Sequence, residues 1–137
     1  MQIETQSREE TIEAGKNLAK RLKPGDILAF RGGMGAGKTT FTIGLAEGLG
    51  CPGWVSSPTF ALVQEYGGKI PLCHFDMFRI KTMDDLYSTG FFDYLDAGGI
   101  CIAEWCENIT NFIPDGAVKV SISKLSDSPD TRRISIE

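Results

Sequence analysis

The sequence predicts an α/β protein with a mixed, mainly parallel central sheet, and short apolar runs separated by helical segments support this prediction. Residues 26–30 and 100–103 are apolar runs bounded by turn residues, which is typical of buried parallel strands. Segments with helical periodicity lie between such runs, and this alternation is typical of α/β sandwiches. Residues 118–123 and 132–136 alternate apolar and polar side chains, which predicts a pair of antiparallel C-terminal edge strands.

Caps and turns predict the remaining elements. Ser7 and Glu10 have the spacing of a capping box, so we expect a helix from this point to about Leu22. Residues 60–66 and 69–75 flank two glycines, which predicts a β-hairpin inserted into the sheet. Two short helices are expected near residues 82–88 and 91–95. Because the sequence contains no repeat or linker, we expect residues 1–137 to form a single domain.

Composition describes a globular protein without a nucleic-acid-binding face. The net charge is −4, and no Lys/Arg cluster is longer than two residues, so direct binding of nucleic acid is disfavoured. The polar, acidic start is unlike a signal peptide, and no apolar run approaches a membrane span, so we expect a cytoplasmic protein that does not bind membranes. The four cysteines and the single histidine, His74, lack the spacing of a zinc site. Cys73 and Cys101 are expected to be buried thiols.

Residues 32–39 match the phosphate-binding pattern Gly-x-x-x-x-Gly-Lys-Thr without a mismatch. The glycines allow backbone N–H groups to turn toward phosphate oxygens, and Lys38 adds a compact positive charge. Thr39 has the hydroxyl that ligates Mg²⁺ in this pattern. The loop also follows a predicted strand and precedes a predicted helix that ends near Gly50. The sequence therefore predicts a P-loop NTPase-like sandwich, whose nucleotide site comprises Gly33, Met34, Gly35, Ala36, Gly37, Lys38, Thr39 and Thr40.

Two carboxylates and one hydroxyl are further candidates for this site. Glu104 directly follows the apolar run 100–103, and Asp76 follows the apolar run 72–75. Because the carboxyl ends of parallel strands meet at one edge of a sheet, either carboxylate could hold Mg²⁺ or orient the attacking water. Thr59, in the sequence Ser-Pro-Thr, offers a hydroxyl that could sense the γ-phosphate. An ordinary turn explains that segment nearly as well.

Taken together, four ordered motifs resemble the TsaE (YjeE) family of small bacterial ATPases over nearly the whole chain. They are GAGKTTF at 35–41, SPTF at 57–60, HFDMFR at 74–79 and EW at 104–105. The segment around Glu10, Thr11 and Gly15 is similar to the first helix of that family. Gly33 departs from the family, since many members carry Asp, Glu or Asn there. Phe78 replaces a frequent Tyr, and these departures remove no phosphate or metal group.

The resemblance implies an activity and partners that composition and spacing do not indicate. It implies a slow ATPase that uses Mg²⁺ and supports the formation of threonylcarbamoyladenosine in tRNA. The implied partner is the TsaB–TsaD protein pair, which carries out the transfer and is stimulated to turn over by ATP hydrolysis. The ATPase would then contact tRNA only indirectly. We expect the free protein to be a monomer.

The resemblance also implies individual roles. The loop and Lys38 would bind the phosphates, and Thr39 and Glu104 would hold Mg²⁺. Glu10 and Thr11 would lie near the base, while the segment ending at Thr59 would act as a switch. The groups implied in hydrolysis itself are Lys38, Thr59, Asp76 and Glu104.

Other functions are compatible with the loop alone. A small-molecule P-loop kinase usually adds an arginine-bearing lid, but the arginines of this chain do not cluster in its middle. A GTPase is disfavoured because no Asn-Lys-x-Asp sequence is present. A regulatory module could bind nucleotide without useful hydrolysis and act by docking. Such a module would not need the complete set of Lys38, Thr39, Asp76 and Glu104.

Overall fold

The computed structural model describes residues 1–31, 37–51, 63–66, 70–76, 80–104, 116–124 and 130–137. Within these ranges the chain forms seven strands and four helices. In order they are β1 (Gln2–Thr5), α1 (Arg8–Ala19), β2 (Ile27–Arg31), α2 (Lys38–Gly48), β3 (Val63–Tyr66), β4 (Leu72–Asp76), α3 (Met83–Ser88), α4 (Phe91–Asp96), β5 (Ile100–Glu104), β6 (Val118–Lys124) and β7 (Arg132–Ile136). No helix in the described part of the chain is long and apolar enough to cross a membrane.

All the described strands belong to one sheet with the order β1-β7-β6-β2-β5-β4-β3. Strand β2 pairs in parallel with β5 and β6, and β5 pairs in parallel with β4. Strands β3 and β7 pair antiparallel with their neighbours, so the other strands all point the same way. The predicted mixed, mainly parallel sheet is therefore confirmed. The predicted antiparallel pairing of β3 with β4 and of β6 with β7 is also present, but β1 lies outside β7, so the C-terminal pair is not at the edge of the sheet as predicted.

Strand β1 is not predicted from the sequence, and it covers the outer edge of β7. Its register runs from Gln2 opposite Ser135 to Thr5 opposite Arg132. The side chains of this strand alternate between exposed and inward-facing positions, but four residues with a single large apolar side chain, Ile3, are too short a pattern to predict a strand. The α-amino group of Met1 also donates to the carbonyl oxygen of Ile136, at 2.9 Å. The pairing of β1 therefore depends on backbone hydrogen bonds to a strand at the other end of the chain.

Helix α1 begins at the predicted cap and ends earlier than predicted. The Ser7 hydroxyl accepts a hydrogen bond from the backbone N–H of Glu10, at 3.2 Å. The Glu10 carboxylate accepts from the N–H of Gln6, one residue before the cap, so only half of the predicted box forms. The helix ends at Ala19, although Leu22 beyond it is still buried.

The sheet separates two apolar clusters, which makes the molecule a three-layer sandwich. Alternate residues of β2 and β5 point to opposite faces, because side chains alternate along a strand. Leu28 and Ile102 join the cluster that contains residues of α1 and α2. Ala29 and Cys101 join the cluster beneath α3 and α4. Cys73 and Cys101 are buried thiols, as predicted, and a hydrogen bond to Cys73 together with burial raises the pKa of the Cys101 thiol.

Helices α1 and α2 cross at two glycines that allow their backbones to touch. A Cβ atom on Gly44 would overlap the carbonyl oxygen of Ile12, and one on Gly15 would overlap that of Phe41. A Cβ on Gly15 would also lie 3.0 Å from the Cα of Gly44. Since α2 begins at Lys38, this crossing helps to fix the position of the helix that follows the predicted loop.

We expect Gly44→Ala to destabilise the protein by about 1–3 kcal/mol, because the added methyl group must displace the backbone of α1. Alanine would otherwise stabilise a helix by about 1 kcal/mol relative to glycine. Urea denaturation of the purified variant measures the change. Gly116→Ala is the control, since its Cβ would meet no described atom within 4 Å and its φ is not left-handed. A Gly44→Ala variant as stable as wild type would contradict the close crossing.

Candidate functional site

The topology brings both predicted carboxylate positions to one edge of the sheet. Strand β5 lies between β2 and β4, and the three strands are parallel. Glu104, the last residue of β5, is the register partner of Phe30 on one side and Asp76 on the other. Strand β2 leads into the phosphate-loop sequence at the same edge, because parallel strands share the direction of their carboxyl ends. The candidate site therefore lies where β2, β4 and β5 end.

Lys38 enters this site from the first turn of α2. The preceding residue, Gly37, has φ +104°, a left-handed conformation that favours glycine. The backbone N–H of Phe41 donates to the carbonyl oxygen of Gly37, which closes the first turn. The Thr42 hydroxyl donates to the carbonyl oxygen of Lys38, at 2.8 Å. The N-terminus of α2 adds its own partial positive charge here, so this end of the helix favours an anion.

Glu104 is held between two nitrogen donors. Its Oε1 lies 3.0 Å from Nζ of Lys38, and its Oε2 lies 2.7 Å from Nε2 of His74. Lys38 and Glu104 are each only 6% exposed, and His74 is 1% exposed. A charged pair with so little solvent is unusual outside functional sites, because removing each charge from water costs several kcal/mol. These three side chains, Lys38, His74 and Glu104, are called the buried triad below.

The triad keeps Glu104 ionised. Burial raises the pKa of its carboxyl group, but hydrogen bonds and electrostatic attraction from His74 and then Lys38 lower it, and the net pKa lies below the usual glutamate value. A hydrogen bond to an ionised carboxylate requires a donor, so Nε2 of His74 carries a hydrogen. The site therefore holds an anionic oxygen pair and a lysine ammonium close together in a nearly dry environment.

The residues present fit Mg²⁺ and a triphosphate. Mg²⁺ prefers oxygen ligands and is usually held by one or two protein groups together with substrate phosphates and water. Glu104 supplies an ionised carboxylate, and the half-buried Thr39 follows Lys38 directly in α2. No group of three His, Cys, Asp or Glu side chains in the described ranges is arranged around a metal position. A cation that also binds phosphates does not need a site that is built from protein ligands alone.

Several predicted site residues lie outside the described part of the chain. They are Gly33, Met34, Gly35, Ala36 and Thr59, whose roles stay predictions. Asp76 is placed by its backbone at the end of β4, opposite Glu104. Gly37, Lys38, Thr39 and Thr40 form the cap and first turn of α2, as the loop pattern requires.

The hydroxyl of Thr11 takes part in contacts within the N-terminal segment. It donates to the carbonyl oxygen of Ser7 at 3.2 Å and lies 2.7 Å from the hydroxyl of Thr5. Thr5 is in turn the register partner of Arg132. Glu10 is exposed and accepts from the backbone of Gln6. The predicted base contacts of Glu10 and Thr11 therefore stay predictions, while Thr11 has a packing role as well.

Two residues near the site are not found by motif reasoning. His74 belongs to a quoted motif but receives no role there. Its position in an apolar strand, two residues before Asp76, could have marked this single histidine as a candidate site residue. Arg132 lies on β7, and its Nε would be 3.4 Å from a Cβ added to Gly37. Nothing in the local sequence pairs Arg132 with Gly37, because the sheet order brings these distant residues together.

The fold and the site are those of a three-layer α/β protein that carries a phosphate-loop sequence, residues 32–39, at the junction of β2 and α2. The family model described as "Threonylcarbamoyl adenosine biosynthesis protein TsaE" matches residues 5–134. The chain therefore belongs to the TsaE family, which is involved in the biosynthesis of threonylcarbamoyladenosine in tRNA. The family resemblance inferred from the motifs is confirmed.

Individual relatives agree with this membership. The chain is 40% identical over 131 residues to the tRNA threonylcarbamoyladenosine biosynthesis protein TsaE of Bacillus subtilis, covering 95% of this chain and 80% of that protein. The TsaE protein of Treponema pallidum is 32% identical over 127 residues, covering 93% and 94% of the two chains. The crystal structure of YdiB from Bacillus subtilis superposes with a TM-score of 0.77 at 35% identity, covering 99% of this chain and 83% of that one.

The lowered pKa of Glu104 predicts that stability depends on pH in acid. Ionised Glu104 stabilises the fold fully above the unfolded-chain pKa of about 4.3, and this contribution is lost as pH falls through the lower folded pKa. We expect the free energy of unfolding of wild type, relative to Glu104→Gln, to fall below about pH 4. Urea denaturation over a pH series measures this difference.

The control for this measurement is Glu4→Gln at neutral pH. Glu4 lies 3.2 Å from Arg133, and both side chains are about half exposed, so its loss should change stability by less than about 1 kcal/mol. A difference between wild type and Glu104→Gln that stays constant from neutral pH to about pH 3 would contradict the stabilising role of the ionised carboxylate.

Proposed function

We propose that this protein is a Mg²⁺-dependent ATPase whose hydrolysis supports turnover of a TsaB–TsaD-type transferase complex acting on tRNA. Its relatives are named for the biosynthesis of threonylcarbamoyladenosine in tRNA, which gives the pathway. The ATPase activity and the partner pair go beyond those names and follow from the loop sequence and the family resemblance. The protein would act in the cytoplasm, and its acidic charge favours contact with tRNA through the partner proteins.

The observation that carries the proposal is the contact between Lys38 and Glu104. These residues lie 66 positions apart in a chain of 137 residues, and their charged atoms are 3.0 Å apart in a buried site. One belongs to the phosphate-loop sequence, and the other ends a neighbouring parallel strand. A structural ion pair would give little net stability when buried, so retention of both charges favours a role in binding or chemistry.

The proposed chemistry assigns a separate task to each group. Bound ATP would supply the β–γ phosphate bond and Mg²⁺ a charge that offsets its oxygens. Lys38 and the N-terminus of α2 would bind the phosphates, while Thr39 and Glu104 would ligate the metal. Asp76, at the strand end beside Glu104, would either orient water or assist the metal. Burial of the triad excludes water, which strengthens each of these electrostatic interactions.

Charge balance in the site predicts that nucleotide and metal bind together. Without nucleotide, Lys38 and Glu104 offset each other. When Lys38 binds phosphate instead, Glu104 loses that partner and needs another cation. A divalent ion beside the phosphates meets this need, so each ligand should raise the affinity for the other.

Phosphate release with and without a TsaB–TsaD pair tests the proposed function. We expect slow release alone and faster release with both partner proteins. Absence of stimulation, together with phosphate transfer to a small metabolite, would contradict the proposal and favour a small-molecule kinase. Nucleotide binding without any release in either condition would favour a regulatory docking module.

Two site variants should separate binding from turnover. We expect Lys38→Ala to abolish nucleotide binding, because it removes the only charge that the loop sequence itself contributes. We expect Glu104→Ala to retain nucleotide binding in EDTA and to lower Mg²⁺-dependent turnover by about 10²–10³-fold. Fluorescent-nucleotide binding and phosphate release measure the two effects.

Lys16→Ala and Glu47→Gln are the matched controls for these variants. Lys16 and Glu47 form an ion pair of similar length, 3.2 Å, but their side chains are 40% and 50% exposed. Their loss should leave binding and turnover unchanged. Wild-type hydrolysis by Glu104→Ala would remove that residue from the proposed site.

A further inference from the structure

His74 is a buried histidine with one polar contact among the described residues. It is 1% exposed, and its Nε2 lies 2.7 Å from Oε2 of Glu104. Its other ring nitrogen, Nδ1, is buried and has no hydrogen-bond partner in the described part of the chain. Burying a polar ring atom without a partner costs free energy, which an apolar side chain at this position would avoid. The contact to Glu104 is therefore the feature that distinguishes histidine from a packing residue here.

The strand register explains how His74 reaches Glu104. His74 is the partner of Ile102 in the parallel β4–β5 pair, so Glu104 lies two residues further along β5 on the same face. Both residues belong to strands in the middle of the sheet rather than to loops. Strand-borne groups hold their geometry better than loop-borne ones, so the imidazole is a fixed support for the carboxylate.

The two oxygens of Glu104 have different partners. Oε1 contacts the flexible ammonium group of Lys38, and Oε2 contacts the fixed imidazole of His74. If Lys38 binds phosphate, only Oε1 loses its donor. The bond from His74 would then keep the carboxylate at the strand end with its free oxygen directed at the site.

We propose that His74 is a positioning residue that holds Oε2 of Glu104, so that Oε1 becomes available as a metal ligand when Lys38 engages phosphate. This inference rests on the proposed function, since it assigns a task within that site. Outer groups that orient a metal-ligating side chain typically change metal affinity or activity by about 10–100-fold when removed.

Three substitutions of His74 test this role. In the His74→Gln variant the side-chain amide nitrogen can occupy the place of Nε2. In the His74→Asn variant it reaches only the place of Nδ1, and the side chain of the His74→Leu variant has no donor. We expect His74→Leu and His74→Asn to raise the Mg²⁺ concentration for half-maximal turnover by about 10–100-fold. His74→Gln should restore most of the wild-type Mg²⁺ dependence. Nucleotide affinity in EDTA should be unchanged in all three variants.

Cys73→Ala is the matched control for a general effect on β4. Cys73 is equally buried but belongs to the cluster on the opposite face of the sheet. Its truncation should lower stability without moving the Mg²⁺ dependence. Equal Mg²⁺ dependence of wild type and His74→Leu would overturn the positioning role, and so would equal behaviour of the Gln and Asn variants.

A spectroscopic measurement tests the contact between His74 and Glu104 independently of ATP turnover. His74 is the single histidine of the chain, so its ring ¹⁵N signals need no assignment. We expect hydrogen on Nε2 in free wild type, and the same Nε2 signal after addition of Mg²⁺ with a non-hydrolysable ATP analogue. Glu104→Ala should shift this signal. An Nε2 without hydrogen, or an Nε2 signal that Glu104→Ala does not move, would overturn the inference.

The two proposals fail in different ways. A wild-type protein without Mg²⁺-dependent turnover would contradict the proposed function, while the ring signals would still decide whether His74 holds Glu104. A wild-type protein with saturable Mg²⁺ dependence, together with an unaffected His74→Leu variant, would contradict the positioning role alone.

Discussion

The site depends on a carboxylate that remains ionised while buried. Glu104 can do so because Lys38 and His74 each occupy one of its oxygens, at 3.0 Å and 2.7 Å. Without these donors, burial would raise the pKa of the carboxyl group and disfavour its ionised form. The carboxylate in turn offsets the buried ammonium of Lys38. Each member of the triad therefore lowers the free-energy cost of burying the others.

The fold supplies this arrangement through strand order and helix contact. Placing β5 between β2 and β4 brings the phosphate-loop sequence, Glu104 and Asp76 to one sheet edge. Both faces of β5 are covered, so its terminal carboxylate has little access to solvent. The close crossing at Gly15 and Gly44 fixes α2, which begins at Lys38, against α1. A local charge pair thus depends on contacts distributed over the whole sandwich.

Short-range sequence patterns predicted the elements of this fold that neighbouring residues determine. Apolar runs marked the buried strands β2 and β5, and the Gly-Lys-Thr sequence marked the start of α2. Strand β1 and the place of Arg132 beside Gly37 could not be found, because both result from pairing between distant ends of the chain. The partner of His74 was also missed, since motifs name residues without saying which atoms meet.

A crystal structure with Mg²⁺ and a non-hydrolysable ATP analogue would test whether Lys38 exchanges Glu104 for phosphate while His74 retains the carboxylate. We expect phosphate oxygens at Nζ of Lys38, the metal near Oε1 of Glu104, and an unbroken hydrogen bond from His74 to Oε2. A bound nucleotide that leaves the contact between Lys38 and Glu104 intact would contradict this exchange.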